Sequence, residues 1–95
     1  MKASELLTAL TLPQKKQNLQ GIAQYHKQRM LPITRIQQQE IGLVFISEIR
    51  TAPLSMKDLL TILMTHRRLS LYLQTPHNEV KPIYGFKEQD QQIIL

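Results

Sequence analysis

Apolar residues recur along this chain in short blocks, and their spacing predicts helices for most of its length. Residues 3 to 10 place Leu6, Leu7 and Leu10 at i, i+1 and i+4, which suits one short amphipathic helix. Pro13 separates that helix from a longer, wetter one over residues 13 to 30. Its expected inward positions are Leu19, Ile22, Ala23 and Met30, with Gly21 as a weak point. Pro32 ends it, because the residue before a proline is pushed out of the helical region. Thr34, with Gln37 three residues later, has the pattern of a capping box and opens a helix over residues 35 to 50. Within it, Ile41-Gly-Leu-Val-Phe-Ile46 also suits a buried strand, being β-branched and aromatic. The Thr34 cap and the polar stretch Gln37-Gln38-Gln39-Glu40 favour helix, which makes this the expected core helix.

Residues 55 to 74 read as two short helices with a tight turn. Ser55 is a good N-cap, and Asp58 places a carboxylate at the positive helix end. Leu59, Leu60, Ile62 and Leu63 form the apolar stripe of the first helix. Thr65 is a second candidate cap, after which Leu69, Tyr72 and Leu73 can face inward. That leaves Arg67, Ser70, Leu71 and Gln74 on an outer face, flanked by His66 and Arg68. Beyond a turn-rich Thr75-Pro-His-Asn78, residues 80 to 86 suggest a strand, with Pro82 implying a sheet edge. Residues 91 to 95 suggest a returning strand, and the two together a terminal β-hairpin.

This order of core helix, short helix, turn, basic helix and hairpin resembles the winged helix-turn-helix superfamily over residues 34 to 95. The resemblance implies a mainly α fold with a small C-terminal β-hairpin, preceded by one or two N-terminal helices. It also implies a single domain over residues 1 to 95, with 1 to 31 as a helical extension. The second short helix corresponds to the recognition helix, with His66, Arg67, Arg68, Ser70 and Gln74 toward DNA. The hairpin corresponds to the wing, with Lys87-Glu-Gln-Asp90 at its tip. That tip carries two acids, and the turn lacks the usual small residue.

Charge adds to this picture. Twelve Lys and Arg against seven Asp and Glu give +5, with a pI near 9.8. That balance favours a polyanionic partner. No acidic residue lies between Glu5 and Glu40, while Lys15, Lys16, Lys27, Arg29 and Arg35 all do. Lys15, Lys16, Lys57 and Lys87 are accordingly candidate phosphate contacts beside the recognition helix. Cations at a helix N-terminus oppose its dipole, so His66-Arg67-Arg68 suggests function rather than stability.

Enzyme chemistry finds little support. The chain has no Cys, and its three His have no ligand spacing. Its three glycines are isolated, so there is no phosphate-cradling loop. No cofactor or metal is expected. Apolar runs fall far short of the ~20 residues that span a bilayer. The expectation is a cytoplasmic, sequence-specific protein for double-stranded DNA, a transcriptional regulator dimerising through its N-terminal helices. RNA is a variant disfavoured by the few aromatics, three Tyr and two Phe. The alternative class is a protein-interaction module, an adaptor or inhibitor docking on an acidic partner.

Overall fold

The structure is a computed structural model that describes residues 1–11 and 19–95. It overturns the mainly α expectation: among the described residues the chain forms two helices and eight strands. In chain order these are α1 (Ala3–Leu10), β1 (Gly21–His26), β2 (Arg29–Pro32), β3 (Arg35–Gln39) and β4 (Gly42–Ile46). Then come α2 (Met56–Thr65), β5 (Leu71–Gln74), β6 (Val80–Pro82), β7 (Lys87–Gln89) and β8 (Gln92–Ile94).

The long helices expected over 13 to 30 and 35 to 50 are each replaced by a β-hairpin in their described parts. The physical reason is visible in β4. All five of its residues are buried. Leu43 and Phe45 join the main core cluster, while Val44 and Ile46 alternate away from it and are buried too. A strand covered on both faces reads as an unbroken apolar run, which periodicity cannot separate from a buried helix. Thr34 caps no helix; it is a buried link between strands. The segment expected as a recognition helix is a turn after α2 followed by β5.

α1 and α2 do form where their stripes and caps suggest. The Ser55 hydroxyl accepts from the Asp58 N–H at 3.1 Å, and Glu5 accepts from the Lys2 N–H at 2.9 Å. Both leave one face for the core, through Ala3 and Leu6 in α1 and Leu59 and Leu63 in α2. Burying a leucine fully contributes about 1.5–3 kcal/mol, so these two short helices are held by packing rather than propensity. α1, expected as a dimerisation surface, thus has its apolar face covered by the protein's own core.

The strands form two four-stranded sheets, ordered β2-β1-β8-β7 and β3-β4-β5-β6. In each, two antiparallel hairpins meet at a central parallel pair, β1 with β8 and β4 with β5. The C-terminal strands do not make the expected single hairpin. β6 pairs with β5, and β7 with β8. Pro82 does lie in an edge strand.

The sheets are stitched together by the chain. Ile33 N–H donates to Ile22 of β1 at 2.9 Å, and Thr34 N–H donates to Ile46 of β4 at 2.8 Å. The strand that leaves the first sheet therefore enters the second within two residues. Ile83 makes the equivalent bond to Leu71 at 2.9 Å before the chain returns to the first sheet as β7.

The same order occurs twice: one helix, then two hairpins. The halves interleave, because each sheet takes one hairpin from residues before α2 and one from residues after it. The sequence carries the duplication. Ser4-Glu-Leu-Leu-Thr-Ala-Leu10 parallels Lys57-Asp-Leu-Leu-Thr-Ile-Leu63, and Leu31-Pro-Ile33 parallels Lys81-Pro-Ile83. Even the lead-in to each helix matches: Met1 N donates to Ile83 O at 2.9 Å, and Leu54 N donates to Ile33 O at 2.8 Å.

Candidate functional site

β4 and β5 run parallel, so their C-terminal ends lie at one end of the molecule and their starts at the other. At the C-terminal end three connections converge: the β1–β2 turn, the loop from β4 to α2, and the β5–β6 turn. Between them lies a cleft of about 630 Å³. Its walls include Leu31, Pro32, Ile49 and Pro76, and its polar lining includes His26, Lys27, Arg29, Arg50 and His77.

Backbone geometry sets each wall. Lys27 and Gln28 have φ of 49° and 66°, the conformation of a two-residue type I′ turn. This turn places His26 directly opposite Arg29, so their side chains leave the hairpin on one face. The β4–α2 loop is anchored at Thr34. The Thr34 hydroxyl accepts from the Glu48 N–H at 3.0 Å and lies 3.2 Å from the Glu48 carboxylate. Arg50, near the loop's apex, has φ 61°, a left-handed conformation uncommon outside Gly, Asn and Asp. In the third wall, Asn78 takes φ 64° and donates its N–H to Thr75 O at 2.9 Å.

One buried amide ties the three walls together. Gln24 is 1% exposed. Its Nε2 donates to Ser47 Oγ and to the Gln74 carbonyl, both at 3.1 Å. Those groups sit just past the end of β4 and at the end of β5, so a single side chain from β1 sets the spacing of the cleft. A buried polar group with both donors used adds specificity as well as strength.

The electrostatics are one-sided. Glu48, the acidic residue of the lining, pairs with Arg35 at 3.1 Å. Among the described residues no ion pair engages Lys27, Arg29 or Arg50, which leaves their charge facing the cleft. The His26 and His77 rings meet edge to face at a centroid distance of 5.2 Å. His26 Nε2 is buried without a hydrogen-bond partner. Such an atom is costly to leave unsatisfied.

The residues singled out from sequence fall elsewhere, in two groups. His66, Arg67 and Arg68 lie in the turn that leaves α2, at the far end of β5, around a shallow depression of about 380 Å³ shared with Gln38 and Met64. Here they follow a helix C-terminus, where cations complement the dipole. The dipole argument for a functional role therefore reverses sign. Ser70 bridges to Lys2 and accepts from Leu43 N–H at 2.9 Å through its carbonyl.

Gln74 lies at the cleft end, where its Nε2 donates to Asn78 Oδ1 at 3.3 Å. Lys57 is exposed in the first turn of α2. Lys87 stands 5.6 Å from the centroid of the Tyr25 ring. Lys15 and Lys16 lie outside the described residues. The structure thus does not gather these positions into one face. The cleft residues His26, Lys27, Arg29, Arg50 and His77 were not singled out as a set. Only the acid-free stretch containing Lys27 and Arg29 hinted at them.

Among the described residues, no cluster of three or more His, Cys, Asp or Glu is placed to hold a metal, and no helix is long and apolar enough to cross a membrane. Comparison with known proteins finds no matching family model, no matching curated protein and no matching solved structure.

Proposed function

We propose that this protein is a non-catalytic nucleic-acid-binding module that grips phosphates with the loops at the cleft end of its sheets. The observation that carries the reading is the set of three cations, Lys27, Arg29 and Arg50, converging on one concave surface whose acid is already paired with Arg35. Guanidinium groups form paired hydrogen bonds to phosphate oxygens, and an ammonium adds a point charge. The overall charge of +5 supports approach to a polyanion. A recognition helix in the major groove forms no part of this proposal, since residues 71 to 74 form a strand.

Titrating the protein with mixed-sequence DNA, single- and double-stranded, across a salt series tests the reading. Phosphate binding releases condensed counterions, so log affinity should fall linearly with log salt. Three phosphate contacts correspond to a slope of about −2 to −3. A flat salt response, or no binding at low salt, would overturn the proposal and favour docking on a protein partner.

A further inference from the structure

We propose that the cleft is a nucleotide-sized pocket that takes one phosphorylated nucleoside, with its base against His77 and the apolar wall and its phosphate on Arg29 and Arg50. This rests on the reading of the cleft end as the phosphate-binding surface and says what unit of the nucleic acid enters it.

Six observations point to that ligand. The volume of about 630 Å³ lies within the ~300–1,000 Å³ range of small-ligand sites, and a duplex cannot enter such a space. The cleft combines cations with an apolar wall, so it matches a ligand that is anionic at one end and flat and apolar at the other. Ile49 is 91% exposed at the mouth of the cleft, a large side chain left uncovered where a base would cover it. His26 lines the cleft and its Nε2 is buried with no hydrogen-bond partner, an unsatisfied polar atom that a turn of the ring would present to a ring nitrogen, an exocyclic group or a hydroxyl. His77 contributes an exposed ring held edge-on by His26, which is the arrangement of a stacking platform. Arg50 adds a conformational argument: a non-glycine residue with φ 61° holds its side chain at a loop apex in a sparsely populated state. Such states persist where the surroundings fix them and are concentrated at ligand sites.

The protein should be titrated separately with AMP, GMP, CMP and UMP, followed by backbone amide NMR shifts. Ribose 5-phosphate, adenosine and inorganic phosphate serve as partial ligands. The expected result is saturable binding of at least one nucleotide, with shifts confined to residues around 26 to 34, 47 to 51 and 76 to 77. Each partial ligand should bind about tenfold or more weakly than that nucleotide, a difference of about 1.4 kcal/mol. Arg50→Ala should weaken nucleotide and ribose 5-phosphate alike. His77→Ala should weaken the nucleotide and leave ribose 5-phosphate unchanged, and His26→Phe, which keeps a ring and removes the nitrogens, should weaken the nucleotide with the fold intact by amide spectrum.

Ribose 5-phosphate binding as tightly as every nucleotide would overturn the base-binding part. Nucleotides that produce no shifts at millimolar concentration, while oligonucleotides still bind, would overturn the pocket and leave the phosphate surface standing. Failure of both would overturn the two proposals together.

Discussion

The half of the chain before α2 and the half that starts with it build the same frame and then diverge at one end. Their cores match position by position. Leu6 corresponds to Leu59, Ile33 to Ile83 and Leu43 to Ile93, and all six are buried to 4% exposure or less. Their parallel pairs match as well, Ile22 with Ile93 and Leu71 with Leu43. One divergence lies in the hairpin turns. The first half turns on Lys27-Gln28 and leaves with Arg29; the corresponding turn of the second half carries His77-Asn78-Glu79. Gln24 and Leu73, which occupy matching strand positions, differ in the same way: one is a buried amide that ties the cleft, the other a plain apolar residue. Duplicated positions that stay alike are explained by packing. Among those that part company, the turn residues and Gln24 collect around the cleft, and this is where function is proposed.

The largest test of the shared frame is a matched pair of core truncations. Leu6→Ala and Leu59→Ala each empty a fully buried site on equivalent helices, and each should cost about 2–5 kcal/mol. Denaturant unfolding should show losses of similar size. A loss confined to one of them would mean that only one helix is integral to the core.

The two glycines beside the parallel pairs come next, and they sharpen the comparison. Gly42 lies level with Ser70 at the β4–β5 pair, while at the β1–β8 pair Gly21 faces Gln92. The halves therefore place their small residue on different strands. Gly42 has φ +145°, and a Cβ there would collide with the Ser70 backbone carbonyl. Gly42→Ala should destabilise by about 3 kcal/mol, combining backbone strain with steric clash. At Gly21 the nearest atom is the Gln92 side-chain oxygen at 2.8 Å, which can move aside. Gly21→Ala should cost about 1 kcal/mol or less. Equal losses in unfolding free energy would contradict this account of the two pairs.

A smaller effect is expected where the halves differ by design of the cleft. Gln24→Leu makes the first half resemble the second. It leaves the Gln74 carbonyl and Ser47 without their donor, and should cost about 1–2 kcal/mol. Amide shifts at residues 47 and 74 should change with it. A gain in stability would show that the amide is no tie.

Part of this was legible in the sequence. Ser55 and Asp58 mark the start of α2 because capping is a local interaction, and Pro82 marks an edge strand because it lacks an N–H. The rest depended on signals that local reading misses. The turns Lys27-Gln28 and Asp90-Gln91 adopt positive φ without Gly or the Asn-Gly and Asp-Gly pairs that announce type I′ turns. Gln37-Gln38-Gln39, good helix formers, form most of β3 because pairing with β4 overrides propensity. Arg67 and Arg68 looked functional because their helix was placed after them rather than before. The duplication was an available signal against the winged-helix reading. An approximate 50-residue period, carried by the two Leu-Leu-Thr and two Pro-Ile pairs, implies two copies of one unit rather than a winged helix.

If nucleic acid is held at the cleft, charge removed there should matter more than charge removed at the turn after α2. Affinity of a fluorescent single-stranded oligonucleotide for two charge-matched groups of variants tests it directly. Lys27→Ala with Arg29→Ala should weaken binding by about tenfold or more, with a shallower salt slope. Arg67→Ala with Arg68→Ala removes the same charge from the other end and should weaken it by about threefold or less. The opposite ranking would place the interface on the turn after α2 and contradict the account.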